Sequence, residues 1–178
     1  MQRKKLLLFT LLIVFSISCA NVVKADTNLS EEKIDNIEAN CASVKRTLKS
    51  IQNTDRNTRV SLGRSFQTIL SDFITPLNVR LVKNNDFNSA LADIQNVFAN
   101  AREDFNHKYI EYSQELEALI STECENNAED FYVKLELTRT KRASVVEAAK
   151  KIQGTIENHI KSVEELRDSY KKDEDERE

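Results

Sequence analysis

From Ser30 onward, apolar residues fall at Ile34, Ile37, Cys41, Val44, Leu48 and Ile51, in alternating steps of three and four. That spacing keeps one face of an α-helix turned toward a partner and predicts a coiled-coil-like seam. The same count then reaches Asp55 and Thr58, a polar break, after which Leu62, Phe66, Ile69, Phe73 and Leu77 resume it. The stretch QNTDRNTR around the break has neither Gly nor Pro, so the pattern predicts one long helix over residues 30–83 rather than two helices meeting near Asn53. Pro76 removes a backbone donor and is expected to bend the last turns of that helix.

Residues 83–89, KNNDFNS, predict a turn, because clustered Asn and Asp bond their own backbone and cap a following helix. A second helix over 87–121 would carry Phe87, Leu91, Ile94, Phe98, Ala101, Phe105, Tyr109, Tyr112, Leu116 and Leu119, again at threes and fours. Residues 121–130 predict the second turn, with Asn127 as N-cap and Glu129 and Asp130 at the positive end of a third helix over 127–171. Its inner face should hold Phe131, Leu135, Val145, Ala149, Ile152, Ile156, Val163, Leu166 and Tyr170. The charge run at 173–178 is expected to be disordered. No single stripe is wide enough to hold a helix alone, so the expected fold is all-α: an elongated up-down-up antiparallel three-helix bundle with a long first helix, kinked if Pro76 bends it, spanning 26–172.

Composition narrows the picture. Gly occurs only at 63 and 154, Pro only at 76 and Trp nowhere, which leaves little punctuation for hairpins or phosphate-cradling loops. Arg3, Lys4 and Lys5, the apolar run from Leu6 to Ile17 and the Val23-Lys24-Ala25 triplet before Asp26 read as a signal peptide over 1–25. Two other readings of this segment stand beside it: a lipid-modified Cys19, weakened by Ser16 where such sites usually carry Leu, or an uncleaved anchor over 6–23. Loss of residues 1–25 removes four bases (Arg3, Lys4, Lys5, Lys24) and no acid, so the formal charge goes from -3 to -7. That sign opposes general nucleic-acid or anionic-membrane binding. Cleavage also removes Cys19 and leaves Cys41 and Cys124, an even pair in an exported chain, which predicts a structural disulfide over two buried free thiols. In an up-down-up bundle the position opposite Cys41 falls near residue 130, a turn or two from Cys124, which suits the bond.

Candidate chemistry is sparse. His107 has Glu103 and Glu111 a turn to each side and Asp104 three residues before, but the second Glu-x-x-His that a ferritin-like di-metal site needs is missing, since Ile156 stands three before His159. The expectation is therefore no metal and no cofactor, with His107 on a solvated face. His159 reads as a boundary residue whose neighbour Ile160 takes the seam position. No acid-base dyad or activated nucleophile can be assembled, so no catalytic residue is assigned. Arg139, Lys141 and Arg142 form the densest basic patch, without the interleaved aromatics used for single strands. They lie at about the height of Asp55 in the bundle, which predicts a polar layer of Asp55 with Arg139 or Arg142.

Across most of the mature length the chain resembles uncharacterised small secreted helical proteins of reduced-genome candidate-phylum bacteria, especially episymbiotic ones. The residues that carry the likeness are Cys41, Arg59-Val60-Ser61-Leu62-Gly63-Arg64, Pro76-Leu77-Asn78-Val79-Arg80-Leu81, Phe105, Tyr109 and Tyr112, and Cys124 followed by Phe131-Tyr132 and Arg139. The resemblance implies export, a helical fold and the disulfide, and no activity. The expected function is a non-enzymatic interaction or structural protein at or outside the cell envelope, meeting an unidentified protein partner. It would touch a membrane only through an uncleaved signal or a lipidated Cys19. The other reading is a periplasm-type holdase chaperone for exported proteins.

Overall fold

A computed structural model describes residues 29–176; the signal-peptide assignment at 1–25, Cys19 and the 6–23 run lie outside the described residues. The described chain is all-α. Helix α1 (Glu31–Thr68) passes without a loop through a π-helical segment (Ile69–Ile74) into α2 (Thr75–Lys83), followed by α3 (Ser89–Ser121) and α4 (Ala128–Asp175). At about 1.5 Å per residue the rod from α1 to α2 is roughly 80 Å long.

Local chemistry fixes the ends. Glu31 and Glu32 face the positive end of α1. After α2, Asn85 takes a left-handed φ of 57°, the Asp86 N–H reaches the Leu81 carbonyl and the Asn85 N–H reaches the Val82 carbonyl. This is a Schellman cap with Asn in the position that usually requires Gly. Asn88 then accepts from the Leu91 N–H at 3.1 Å and starts α3 two residues later than the apolar pattern suggested, leaving Phe87 exposed in the turn. Asn127 caps α4 by accepting from the Asp130 N–H at 3.4 Å. At its far end α4 continues to Asp175, into the run expected to be disordered, because Lys, Glu and Arg are good helix formers and no Gly or Pro follows Gly154.

The π segment changes the inward face of the rod. Thr75 N–H bonds the Leu70 carbonyl, five residues back, so one extra residue is accommodated just before Pro76, which has no N–H of its own to offer Asp72. The insertion turns the seam by one position. Phe73, expected inside, is 62% exposed, whereas Ile74 is 0% exposed and Leu81 is buried after it.

Side-chain partners give the helix directions. Asp55, Arg59, Gln67 and Asn78 on the rod meet Tyr112, Asn106, Arg102 and Gln95 on α3 in descending order, so these two run antiparallel. Cys41 and Asp55 meet Cys124 and Arg142 in ascending order, so the rod and α4 run parallel. Helix α3 packs most extensively on α4, and the rod lies more loosely across this pair. The core is split. One cluster gathers Leu48, Leu116, Leu119 and Phe131 around the cysteines. The other gathers Ile74, Phe98, Phe105 and Ile152, with Phe66 set edge-on to Phe98 and Phe105.

Candidate functional site

Between the two clusters lies the polar break of the first helix. Arg142 donates through Nε and Nη2 to the two carboxylate oxygens of Asp55 at 2.8 and 3.0 Å, and the Tyr112 hydroxyl donates to Asp55 Oδ2 at 2.7 Å. Three helices are thus joined at one carboxylate. The Asp55 side chain is 17% exposed and that of Arg142 44%, so the layer is wet on the arginine side only. Burial, then donation to Asp55, push the Tyr112 phenol well above its usual range. The bond to Asp55 holds Arg142 further toward its charged form. Arg139, the other arginine expected here, does not reach Asp55: it stands on the wall of the groove between α1 and α4 and pairs with Glu136 on its own helix, one turn away. The helical period explains the choice: 139 and 142 are about 60° apart around the axis, and 142 is the one nearer the line of Leu135 and Val145.

Tyr112 and Arg59 belong to this region although the apolar count made the first a plain core residue and left the second unassigned. Arg59 spans toward α3, its guanidinium 5.6 Å from the Tyr109 ring centre and donating to Asn106 Oδ1 at 3.3 Å. A cleft of about 300 Å³ opens beside the layer, lined by Thr58, Leu62, Phe105, Tyr109, Val145 and Arg142 among others. On the cysteine side of the layer a longer groove of about 650 Å³ runs between α1 and α4, over Ile37, Val44, Leu48, Ile51, Leu135 and Thr138. The Thr138 hydroxyl has no hydrogen-bond partner there.

Cys41 and Cys124 stand with Cα atoms 5.5 Å apart, joined with the geometry of a disulfide, and both are buried in the first cluster. The two histidines lie far apart on different helices, His107 on α3 and His159 on α4. His107 is exposed, its Nδ1 3.3 Å from Glu111, whose other oxygen accepts from Lys141 at 2.8 Å. That bond holds the Glu111 carboxyl below its ordinary range. His159 corrects the expectation from sequence: it is buried with Nδ1 unpartnered, and Ile160 is exposed. Both cannot face inward, being about 100° apart on the helix, and Thr155 and Ile152 are buried on the same side as His159. Burial lowers the His159 pKa. Tyr170, placed on the inner face by spacing, is also exposed, close to the free end of α4.

At the end remote from the cysteines, Val79, Val82 and Phe87 are 46%, 56% and 66% exposed. They line one side of a cleft of about 420 Å³ between α2 and α3 whose rim carries Lys83 and the side-chain amides of Asn78, Gln95 and Asn96. Among the described residues no three His, Cys, Asp or Glu side chains converge as metal ligands, and no helix is long and apolar enough to cross a membrane. No protein-family model, curated protein or solved structure matches the chain.

Proposed function

We propose that this chain is an exported, non-enzymatic interaction protein whose apolar tip docks an apolar segment of another protein at or outside the cell envelope. The observation that carries the reading is the tip itself: three large apolar side chains left in water around one cleft, at the end of the bundle away from the disulfide. Asn78 and Gln95 on the rim are bonded to each other at 2.7 Å, which leaves the exposed Asn96 amide to meet the backbone of an inserted peptide, and Arg80 and Lys83 favour an acidic flank on it. Export is supported by the basic and apolar start of the sequence and by the paired cysteines. Affinity capture from cell envelopes and medium with the tagged protein tests this, alongside a Val82→Glu/Phe87→Glu variant. A partner retained by the native protein and lost by the variant is the expected result; the same partners with both would remove the tip from the account.

The α1–α4 groove favours a second reading, a periplasm-type holdase, because Ile37, Val44, Leu48 and Leu135 form an apolar floor along it. A holdase would suppress aggregation of an unrelated unfolded protein at stoichiometric ratio. Failure to do so separates the two readings.

A further inference from the structure

The charge of the first helix is distributed unlike that of the whole molecule. Between Glu38 and Asp72 it carries six bases, Lys45, Arg46, Lys49, Arg56, Arg59 and Arg64, and one acid, Asp55. That acid is committed to Arg142 and Tyr112. Arg59 and Arg102 of α3 are each held in place across the α1–α3 contact, but by neutral partners: Arg59 donates to Asn106 and Arg102 donates to Gln67 Oε1 at 2.6 Å. A purely structural pairing at these places would gain more from Asp and Glu, which are nearly isosteric with Asn and Gln and would neutralise the arginines. None of Arg56, Arg59, Arg64 or Arg102 meets a carboxylate in any ion pair among the described residues. Two guanidinium groups are therefore oriented and left uncompensated.

Between them lies a trough of about 360 Å³ bounded by Arg59, Arg64, Gln67, Arg102 and Asn106, with Gly63 in its wall. A Cβ on Gly63 would meet nothing within 4 Å, so packing within the chain does not call for glycine here, although glycine in mid-helix costs about 1 kcal/mol relative to Ala. Gly154 is equally open, so glycine alone carries no argument. At position 63 it lies between oriented charges, where a missing side chain lets a ligand approach the helix backbone. The neighbouring cleft over Arg56, Asn57, Ser61 and Arg64 continues the basic surface along the same helix.

We infer that this trough is a binding site for a multivalent phosphate anion, held by Arg59 and Arg102 with Arg64 at its edge and Arg56 in the adjoining cleft. Guanidinium groups match phosphate oxygens in pairs, and three of them, on Arg59, Arg64 and Arg102, line a space suited to one or two phosphoryl groups. The negative charge of the molecule as a whole opposes long-range attraction of anions, so recognition is local and depends on these side chains. The site is on a different surface from the tip and does not rest on the reading given above.

The test is titration calorimetry of the mature protein with pyrophosphate at low ionic strength, against a Gln67→Glu/Asn106→Asp variant. The substitutions keep shape and hydrogen bonds and give each arginine its carboxylate, so the bundle should melt at the same temperature or higher while pyrophosphate binding falls at least about tenfold. A Gln114→Glu/Asn158→Asp variant makes the same change in net charge on other surfaces and should bind as the native protein does. A parallel arm uses phosphatidylcholine vesicles with and without phosphatidylglycerol. Co-sedimentation that needs phosphatidylglycerol and is lost in the first variant identifies a lipid headgroup as the source of phosphate. Pyrophosphate binding without co-sedimentation identifies a soluble phosphorylated ligand. No heat with the native protein, or equal affinity for the two variants, overturns the site.

Discussion

Asp55 ties a buried tyrosine hydroxyl to a half-exposed arginine, and the two partners should respond differently to its loss. Asp55→Ala leaves the Tyr112 hydroxyl buried without its acceptor while Arg142 can turn to water, so the expected cost is about 1–3 kcal/mol, most of it from Tyr112. Double-mutant cycles by urea unfolding should give coupling of about 1 kcal/mol with Tyr112→Phe and with Arg142→Ala, and none beyond error with Arg139→Ala. Zero coupling with Arg142 would remove the layer. His159 makes a pH prediction. Its folded pKa is depressed by burial below the ordinary 6.5, so the unfolded chain takes up the proton first as pH falls. The stability that neutral His159 contributes is present above about pH 6.5 and is lost on acidification, by at most about 1.4 kcal/mol per pH unit. His159→Leu should flatten the stability curve between pH 7 and 5; an unchanged slope would assign the dependence to other groups.

Among the elements, the three long helices and both turns are legible in the spacing of apolar residues and in the Asn-rich runs, because an uninterrupted period survives any detail of packing. The polar layer was legible only as a height along the bundle. Which arginine meets Asp55 depends on a rotation of about 60° around α4; steps of three and four from Leu135 to Val145 pass through Thr138 and Arg142, so the choice lay in the spacing, masked because both positions are polar. The π segment was not legible at all. Pro76 announces a disturbance, but whether a helix answers by bending or by adding a residue depends on which of Phe73 and Ile74 fits the α3 face. A deletion tests this account of the register. Removing exposed Ser71 takes out one residue, and a regular α-helix would then bring Ile74 and Leu81 onto the seam that starts at Leu62 and Phe66. We expect its cost to stay under about 1 kcal/mol. Deleting Gln52, in regular helix, rotates everything beyond it by about 100° and should cost more than about 3 kcal/mol. Similar losses from the two deletions would mean that the π segment is held by more than register.

For the whole molecule, the cysteine pair closes a loop across a sequence separation of 83 residues. On the chain-entropy model, replacing both cysteines with serine should cost about 4 kcal/mol, a large share of the stability of a thin bundle. Peptide mapping of the native protein without reductant should recover the linked pair; free alkylation of both thiols would end this expectation. The position of the bond has a further, mechanical consequence. Tension applied between the two ends of the chain passes from residue 41 directly to residue 124 and on through α4, so most of the rod and all of α3 are bypassed. In single-molecule stretching the oxidised protein should extend about 280 Å less than the reduced one, the contour of the bypassed chain. A force on the tip would instead load the bypassed loop itself. The covalent frame would shield the bundle from being pulled out by its ends while leaving helix packing to bear any pull by a docked partner.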